Sequence, residues 1–243
     1  MKFNASKFEV LRYGKNNTLK ESTLYLTPNS EDYIQEKECL RDLEILMTFS
    51  SYVEQVCSKV KQKSGWILRT FQTRNTWFLK FMWKSLVQGH VDYCSQLYFP
   101  TKSSDMEKIE NLQKIYTSKI PEVKTLNYWD RLKYLKMYSQ ERRMERYRIL
   151  YVWKIIEKIS PNCGLEVKTS ERRGREVIIP PSKGSGKFHT LREGSFQVHG
   201  PRLFNSLPKK IRNLTRISLE EFKMKLNSMI DHAKTILNRG QWG

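Results

Sequence analysis

Apolar and polar positions along the chain change period twice. In residues 7–47 they run in short extended stretches. Lys7-Phe8-Glu9-Val10 alternates polar and apolar before the turn-forming cluster Gly14-Lys15-Asn16-Asn17. Ser22 to Thr27 reads as a second strand stopped by Pro28, and Leu40 to Met47 as a third. From Ser50 the period becomes helical. Val53, Val56, Cys57, Val60, Ser64, Ile67, Leu68 and Phe71 recur at i, i+3, i+4 spacing and predict one buried stripe. Trp77-Phe78-Leu79-Lys80-Phe81-Met82-Trp83 is apolar nearly all round and predicts an enclosed helix. Ser104 followed by Glu107 reads as a capping box opening a helix with Ile109, Leu112, Ile115 and Tyr116 inward, closed by Pro121.

Residues 128–159 predict two more helices with a break near Ser139, the second ended by Pro161. Met144, Tyr147, Tyr151 and Ile155 form its stripe, and Arg142, Arg143 and Arg146 crowd its start. Cations there oppose the helix dipole, a penalty that an anionic ligand would remove. Glycines and prolines then punctuate residues 160–217, so loops and short strands such as Glu176–Ile179 are expected. Ser218 with Glu221 predicts the last helix, with Ile217 stapled to Phe222 and Leu219, Phe222, Leu226, Met229 and Ile230 inward. The expected class is α+β, predominantly α. A β segment over 1–48 precedes a three-helix bundle over 49–120, further helices over 121–160 and a loop-rich basic tail over 161–243.

Charge sharpens this picture. Lys and Arg number 44 against 25 acids, a formal +19 over 243 residues. A polyanion best neutralises such an excess, because phosphate contacts release condensed counterions. Hydrophobic residues at 39% and aromatics at 12% exclude a disordered tail. Cys39, Cys57, Cys94 and Cys163 form no CxxC pair, so reduced thiols in the nucleus or cytoplasm are expected. No uncharged apolar run approaches the roughly 20 residues that span a bilayer, and no membrane partner is expected.

Catalytic chemistry finds little support. His90 and Cys94 sit four apart with no second ligand pair, so ordinary packing of a turn explains them. Gly184-x-Gly186 lacks the Gly-Lys-Ser/Thr ending of a phosphate cradle, and no nucleophile elbow occurs.

Five ordered stretches covering about residues 3–230 resemble the end of a reverse transcriptase of the non-long-terminal-repeat retrotransposons, the jockey and CR1-like group. Lys7 to Asn16 is similar to the hairpin after the polymerase palm. Gly65-Trp66-Ile67-Leu68-Arg69-Thr70-Phe71 is similar to the end of the first thumb helix. Trp83 to Ser95, with Gln88-Gly89-His90-Val91-Asp92-Tyr93-Cys94, resembles the second thumb helix and its turn. Met106 to Pro121, with Glu110-Asn111-Leu112-Gln113-Lys114, resembles the next helix, and Phe196 to Pro208 resembles a tail signature. The resemblance implies a grip on primer–template or element RNA. It also implies what is missing, since the intact family holds two magnesium ions with a palm aspartate and a Tyr-x-Asp-Asp turn. No adjacent aspartates occur in this chain. No catalytic residue, metal ligand, cofactor or small-molecule substrate is therefore expected, and the chain reads as a truncated fragment. Glu44 after Arg41-Asp42-Leu43, a short link from Met47 to Phe49, and residues 231–243 depart from the family pattern.

The candidate nucleic-acid contacts are Arg12 and Lys15 in the primer-grip-like hairpin and Lys59, Lys61, Lys63, Arg69 and Arg74 along the first thumb-like helix. Arg142, Arg143, Arg146 and Arg148, and separately Arg172, Arg173 and Arg175, are candidates for RNA, with Trp129, Tyr138 and Tyr147 nearby. Each has a plainer alternative: a solvated turn, a solvated helix face, or aromatics that belong to a core. At the level of the whole chain, the alternatives are the product of a decayed element and an adaptor docking protein partners through its last helix.

Overall fold

The computed structural model describes residues 9–10, 35–36, 41–42, 45–46, 49–100, 102–179, 181 and 192–229. Its contacts divide the chain into two compact units, Met1–Tyr52 and Val53–Gly243. In the first, β1 (Glu9–Val10) pairs in parallel with β2 (Gln35–Glu36). The single strand expected over Leu40–Met47 is instead two, β3 (Arg41–Asp42) and β4 (Ile45–Leu46), paired antiparallel to each other. The strand expected over Ser22–Thr27 and the turn at Gly14–Asn17 lie outside the described residues.

The fold is α+β and predominantly helical. Helix α1 (Phe49–Thr70) buries Val53, Val56, Cys57, Val60 and Ile67, the stripe its period predicts. Arg74 finishes it: the guanidinium donates to the carbonyls of Leu68, at 2.6 Å, and Phe71. Helix α2 (Thr76–Met82) starts on Asn75, whose side chain accepts from Phe78 N at 2.7 Å. A π-helical turn, Trp83–Val87, leads into α3 (Gln88–Asp92), and α4 (Ser95–Tyr98) follows a left-handed Cys94 at φ 52°. Helix α5 (Ser103–Thr117) starts at Lys102 with no side-chain cap, so the Ser104 capping box does not form. It ends before Pro121, which opens a 3₁₀ turn, and Ile115 is exposed.

Helix α6 (Tyr128–Leu135) begins on Asn127, and α7 (Gln140–Ile156) on Ser139, which accepts from Arg142 N at 3.2 Å. Both helices end in paired bonds that wrap the last turn, Met137 N to Leu132 O at 2.9 Å and Ile159 N to Lys154 O at 2.8 Å. The left-handed position in each is a lysine, Lys136 or Lys158, where glycine is more usual. Strands β5 (Val167–Ser170) and β6 (Gly174–Val177) form a hairpin two residues earlier than the run at Glu176–Ile179 suggests. Gly174 is left-handed at φ 74°, and a side chain there would meet the Asn213 amide. Helices α8 (Phe196–Asn205), α9 (Lys209–Arg212) and α10 (Leu219–Met229) complete the fold. The Ser218 cap does form, accepting from Glu221 N at 3.1 Å. Phe222 and Leu226 are buried; Met229 is exposed, against the expected stripe, and Ile230 lies outside the described residues.

One hydrophobic cluster joins α7, β6, α8, α9 and α10 through Ile149, Trp153, Val177, Phe204, Ile211 and Phe222. The helices expected over 121–160 and the tail over 161–243 thus share a core. No helix among the described residues is long and apolar enough to cross a membrane.

Candidate nucleic-acid interface

Which cations can reach a ligand depends on which are already held by the protein. On α1, Lys59, Lys61, Lys63 and Arg69 are exposed, and no acid pairs with any of them among the described residues. They do not form one row. At about 100° per residue, Lys59 and Lys63 lie about 40° apart around the helix, while Lys61 lies about 160° from either. His90 of α3 sits beside Lys59 and Lys63; burial, then those two charges, push its pKa down. Lys61 faces the opposite way, into a groove of about 500 Å³ lined also by Glu54, Cys57, Lys108 and Ile115. Lys108 bridges Glu54 of that groove, at 3.4 Å, and Asp105, at 3.1 Å.

The arginines of α7 are held by the protein. Arg143 makes a two-pronged contact with Asp92, Nε at 2.9 Å from Oδ1 and Nη2 at 2.8 Å from Oδ2, and lies over the Tyr147 ring. Arg146 donates from Nε to Asn227 of α10 at 2.7 Å. Arg142 is buried with Glu145 3.9 Å away. The dipole penalty at the start of α7 is therefore met from within: Asp92 neutralises Arg143, and Glu110 Oε2 accepts from Gln140 N at 2.8 Å and Glu141 N at 3.3 Å. No external anion is needed there. Arg175 bonds Glu157 at 2.6 Å and the carbonyl of Arg212 at 2.9 Å, locking the hairpin to the tail. Arg74 is the cap of α1 described above. Arg172 and Arg173 remain exposed in the hairpin turn, Arg173 only 4.0 Å from Glu176. Arg12 and Lys15 lie outside the described residues.

The motifs that carry the family resemblance converge on a buried polar network. Trp83 Nε1 donates to Gln88 Oε1 at 2.8 Å, and Gln88 Nε2 donates to Asp92 and to Gln140 Oε1, each at 2.9 Å. Gln140 Nε2 returns a bond to Gln88 at 3.2 Å and also reaches Gln113, whose own amide donates to Tyr138 O at 3.1 Å. Amide side chains both donate and accept, so the three glutamines bond one another, with the Asp92–Arg143 ion pair at the edge of the set. It ties α3, α5 and the start of α7 together. Glu110 adds a Tyr128 hydroxyl to its two backbone donors. Burial dominates these bonds and pushes its carboxyl up to about 7.

The tail signature is likewise structural. Phe196 packs edge-on to Tyr151, with centroids 5.3 Å apart. Leu203 and Phe204 are fully buried. Gly200 lets α8 approach α7, since a Cβ there would lie 3.1 Å from Val152 Cγ2. Asn205 completes the edge of β6, accepting from Val177 N at 2.9 Å and donating to Val177 O at 2.8 Å. His199 receives Arg148 Nη1 at 3.1 Å on Nδ1; burial, then Arg148 and Arg202, push its pKa down to about 3, so it is neutral and accepts. Arg148 itself is wholly buried over the Phe99 ring, bonded to Gly194 O at 2.9 Å, with Nε and Nη2 unpartnered.

Sequence reasoning missed one surface. The segment Trp77–Trp83 is not enclosed: Leu79, Met82 and Trp83 are buried, but Trp77 and Phe81 stand in solvent. No signal in the sequence separates these two rings from their neighbours.

Among the described residues, no three His, Cys, Asp or Glu side chains converge. No family model, no curated protein and no solved structure matches the chain.

Proposed function

We propose that the protein grips nucleic acid without acting on it, as the thumb and tail of a non-long-terminal-repeat reverse transcriptase that lacks the palm's catalytic aspartates. The ligand is primer–template or element RNA, and the phosphate backbone is the group held. One observation carries this reading: among the described residues the exposed cations of α1 have no acid partner, whereas on α7 Arg142 and Arg143 each have one and Arg146 and Arg148 are bonded to Asn227 and Gly194. Lys59, Lys63 and His90 form the proposed contact line, with Arg69 on the solvent side of the same helix. The resemblance of the thumb-like stretches supports the same place on the molecule.

Replacing Lys59 and Lys63 with Gln tests it. Binding to a DNA duplex, a hybrid and a structured RNA is measured by anisotropy over a salt series. The log–log salt slope on duplex should fall by nearly one unit for each lost phosphate contact, up to about two. Lys61→Gln should change it less. Lys223→Gln with Lys225→Gln is the charge-matched control, since those lysines already pair with Glu220 at 2.6 Å and Glu221 at 2.7 Å. Equal losses in the two double variants would reduce the proposal to attraction by net charge. Absence of binding would leave the adaptor or the decayed product.

A further inference from the structure

Helix α2 carries a surface that the grip of α1 does not use. Trp77 and Phe81 are stacked, with ring centroids 5.4 Å apart and planes 8° apart, and they are 70% and 51% exposed. Burying such rings elsewhere in the fold would stabilise it. Turning α2 to do so is blocked by its other face. Leu79 and Trp83 are fully enclosed, and the Tyr116 hydroxyl donates to Leu79 O at 2.9 Å. Asn75 and Glu122 fix the helix start, at 2.7 Å from Phe78 N and 3.4 Å from Thr76 N. The exposure is therefore held in place by the packing behind it.

Cations lie beside the rings. Lys80 and Lys84 follow Trp77 and Phe81 at helical spacing on the same side, and Lys136, at the left-handed end of α6, is near enough to act on Lys80. No acid pairs with any of the three among the described residues. Partial burial, then Lys84 and Lys136, push the Lys80 pKa down, as expected of like charges gathered without a counterion. Flat apolar faces beside cations complement a flat π system on a polyanionic backbone. Paired bases inside a duplex hide those faces, whereas a single strand presents them. An acidic peptide would match the charge but not the parallel rings.

We propose that the Trp77–Phe81 stack is a platform for the unstacked bases of single-stranded nucleic acid, with Lys80, Lys84 and Lys136 holding the flanking phosphates. The proposal rests on the nucleic-acid reading above and adds which form is held and where. It gives the molecule two distinct contacts, a backbone line on α1 and a base platform on α2.

The test compares a short oligothymidylate, an abasic oligomer of equal length and a blunt duplex at one salt concentration. Trp77→Ala with Phe81→Ala should weaken oligothymidylate binding by about ten-fold or more, and leave the abasic oligomer and duplex unchanged. Trp77→Phe with Phe81→Tyr keeps both rings and should restore most of the affinity. In the unaltered protein, oligothymidylate should quench tryptophan fluorescence, the abasic oligomer should not, and Trp77→Phe should remove the quenching. Unchanged oligothymidylate affinity in the Ala variant would overturn the platform. So would an equal loss on the abasic oligomer, or sedimentation showing that the rings join two copies of the chain. If Lys59→Gln with Lys63→Gln still weakens duplex binding in that case, the grip of α1 stands and only the platform falls. If the unaltered protein binds none of the three ligands, both fall.

Discussion

At the scale of single residues, two buried titrating groups have opposite effects on stability in acid. Glu110 is raised to about 7 by burial, against bonds from Tyr128, Glu141 and Gln140 that favour its charge. Between the ordinary carboxyl value and 7 the folded chain holds a proton that the unfolded chain has lost, so acidification through this window stabilises the fold. His199 is lowered to about 3, with Arg148 and Arg202 facing it and Glu193 opposing them. Below its ordinary value near 6.5 the unfolded chain gains a proton that the folded chain refuses, so acidification destabilises. Each effect has a ceiling of about 1.4 kcal/mol per pH unit. Urea unfolding at pH 7 and pH 5 should therefore show Glu110→Gln losing more stability than the unaltered protein on acidification. His199→Gln, which keeps an acceptor for Arg148, should lose less. Parallel behaviour of the two variants would contradict these assignments. Neither group stands out in the sequence. Glu110 looks like one charge among several on α5, and its partners Gln140 and Glu141 come from 30 residues on. Arg143 illustrates the same limit. Its place among the arginines at the start of α7 reads as a nucleic-acid contact, and only the fold brings Asp92, 51 residues away, against it.

At the scale of elements, local chemistry was legible wherever the cap and the stripe belong to the same segment. Ser218, Ile217 and Phe222 announce α10, and the break at Ser139 announces α7. The opening of α5 was misread because Ser103 and Ser104 compete as starts, and the helix begins with Lys102 outside it. The last helix also tests how the tail is held. Phe222 is fully buried and stacks on Trp153, with centroids 4.5 Å and planes 9° apart. Phe222→Ala should cost about 3–5 kcal/mol, and Ser218→Ala about 1 kcal/mol through the cap alone. Urea unfolding followed by tryptophan emission measures both. A cap loss equal to the core loss would mean that α10 is held by its end rather than by its buried face. The exposure of Trp77 could not be read from α2 itself, because the burial of Leu79 and Trp83 depends on Tyr116 of α5.

At the scale of the whole molecule, the formal charge of +19 is unevenly available. Much of the arginine content of the second unit is spent internally, on Asp92, Glu157, Asn227 and backbone carbonyls. Among the described residues, Lys59, Lys61 and Lys63 of α1 and Lys80 of α2 pair with no acid. A helical, basic character was readable from composition and period, but the division between structural and available cations was not. That division is set by partners brought together across tens of residues. The proposed function also carries a catalytic expectation, since no adjacent aspartates occur in the sequence. Purified protein given magnesium, nucleotides and a primed RNA template should extend no primer above a control without protein. Extension that co-purifies with the chain and is lost in Lys59→Gln with Lys63→Gln would refute the reading of a grip without chemistry.

The amide network of Gln88, Gln113 and Gln140 makes three distant positions of the sequence depend on one another. Its members come from three separated helices, and each is useful only while the others are in place. Most single replacements would strand a buried partner, at about 1–3 kcal/mol for each group left unpaired. A change at one of the three is therefore best tolerated when a second changes with it.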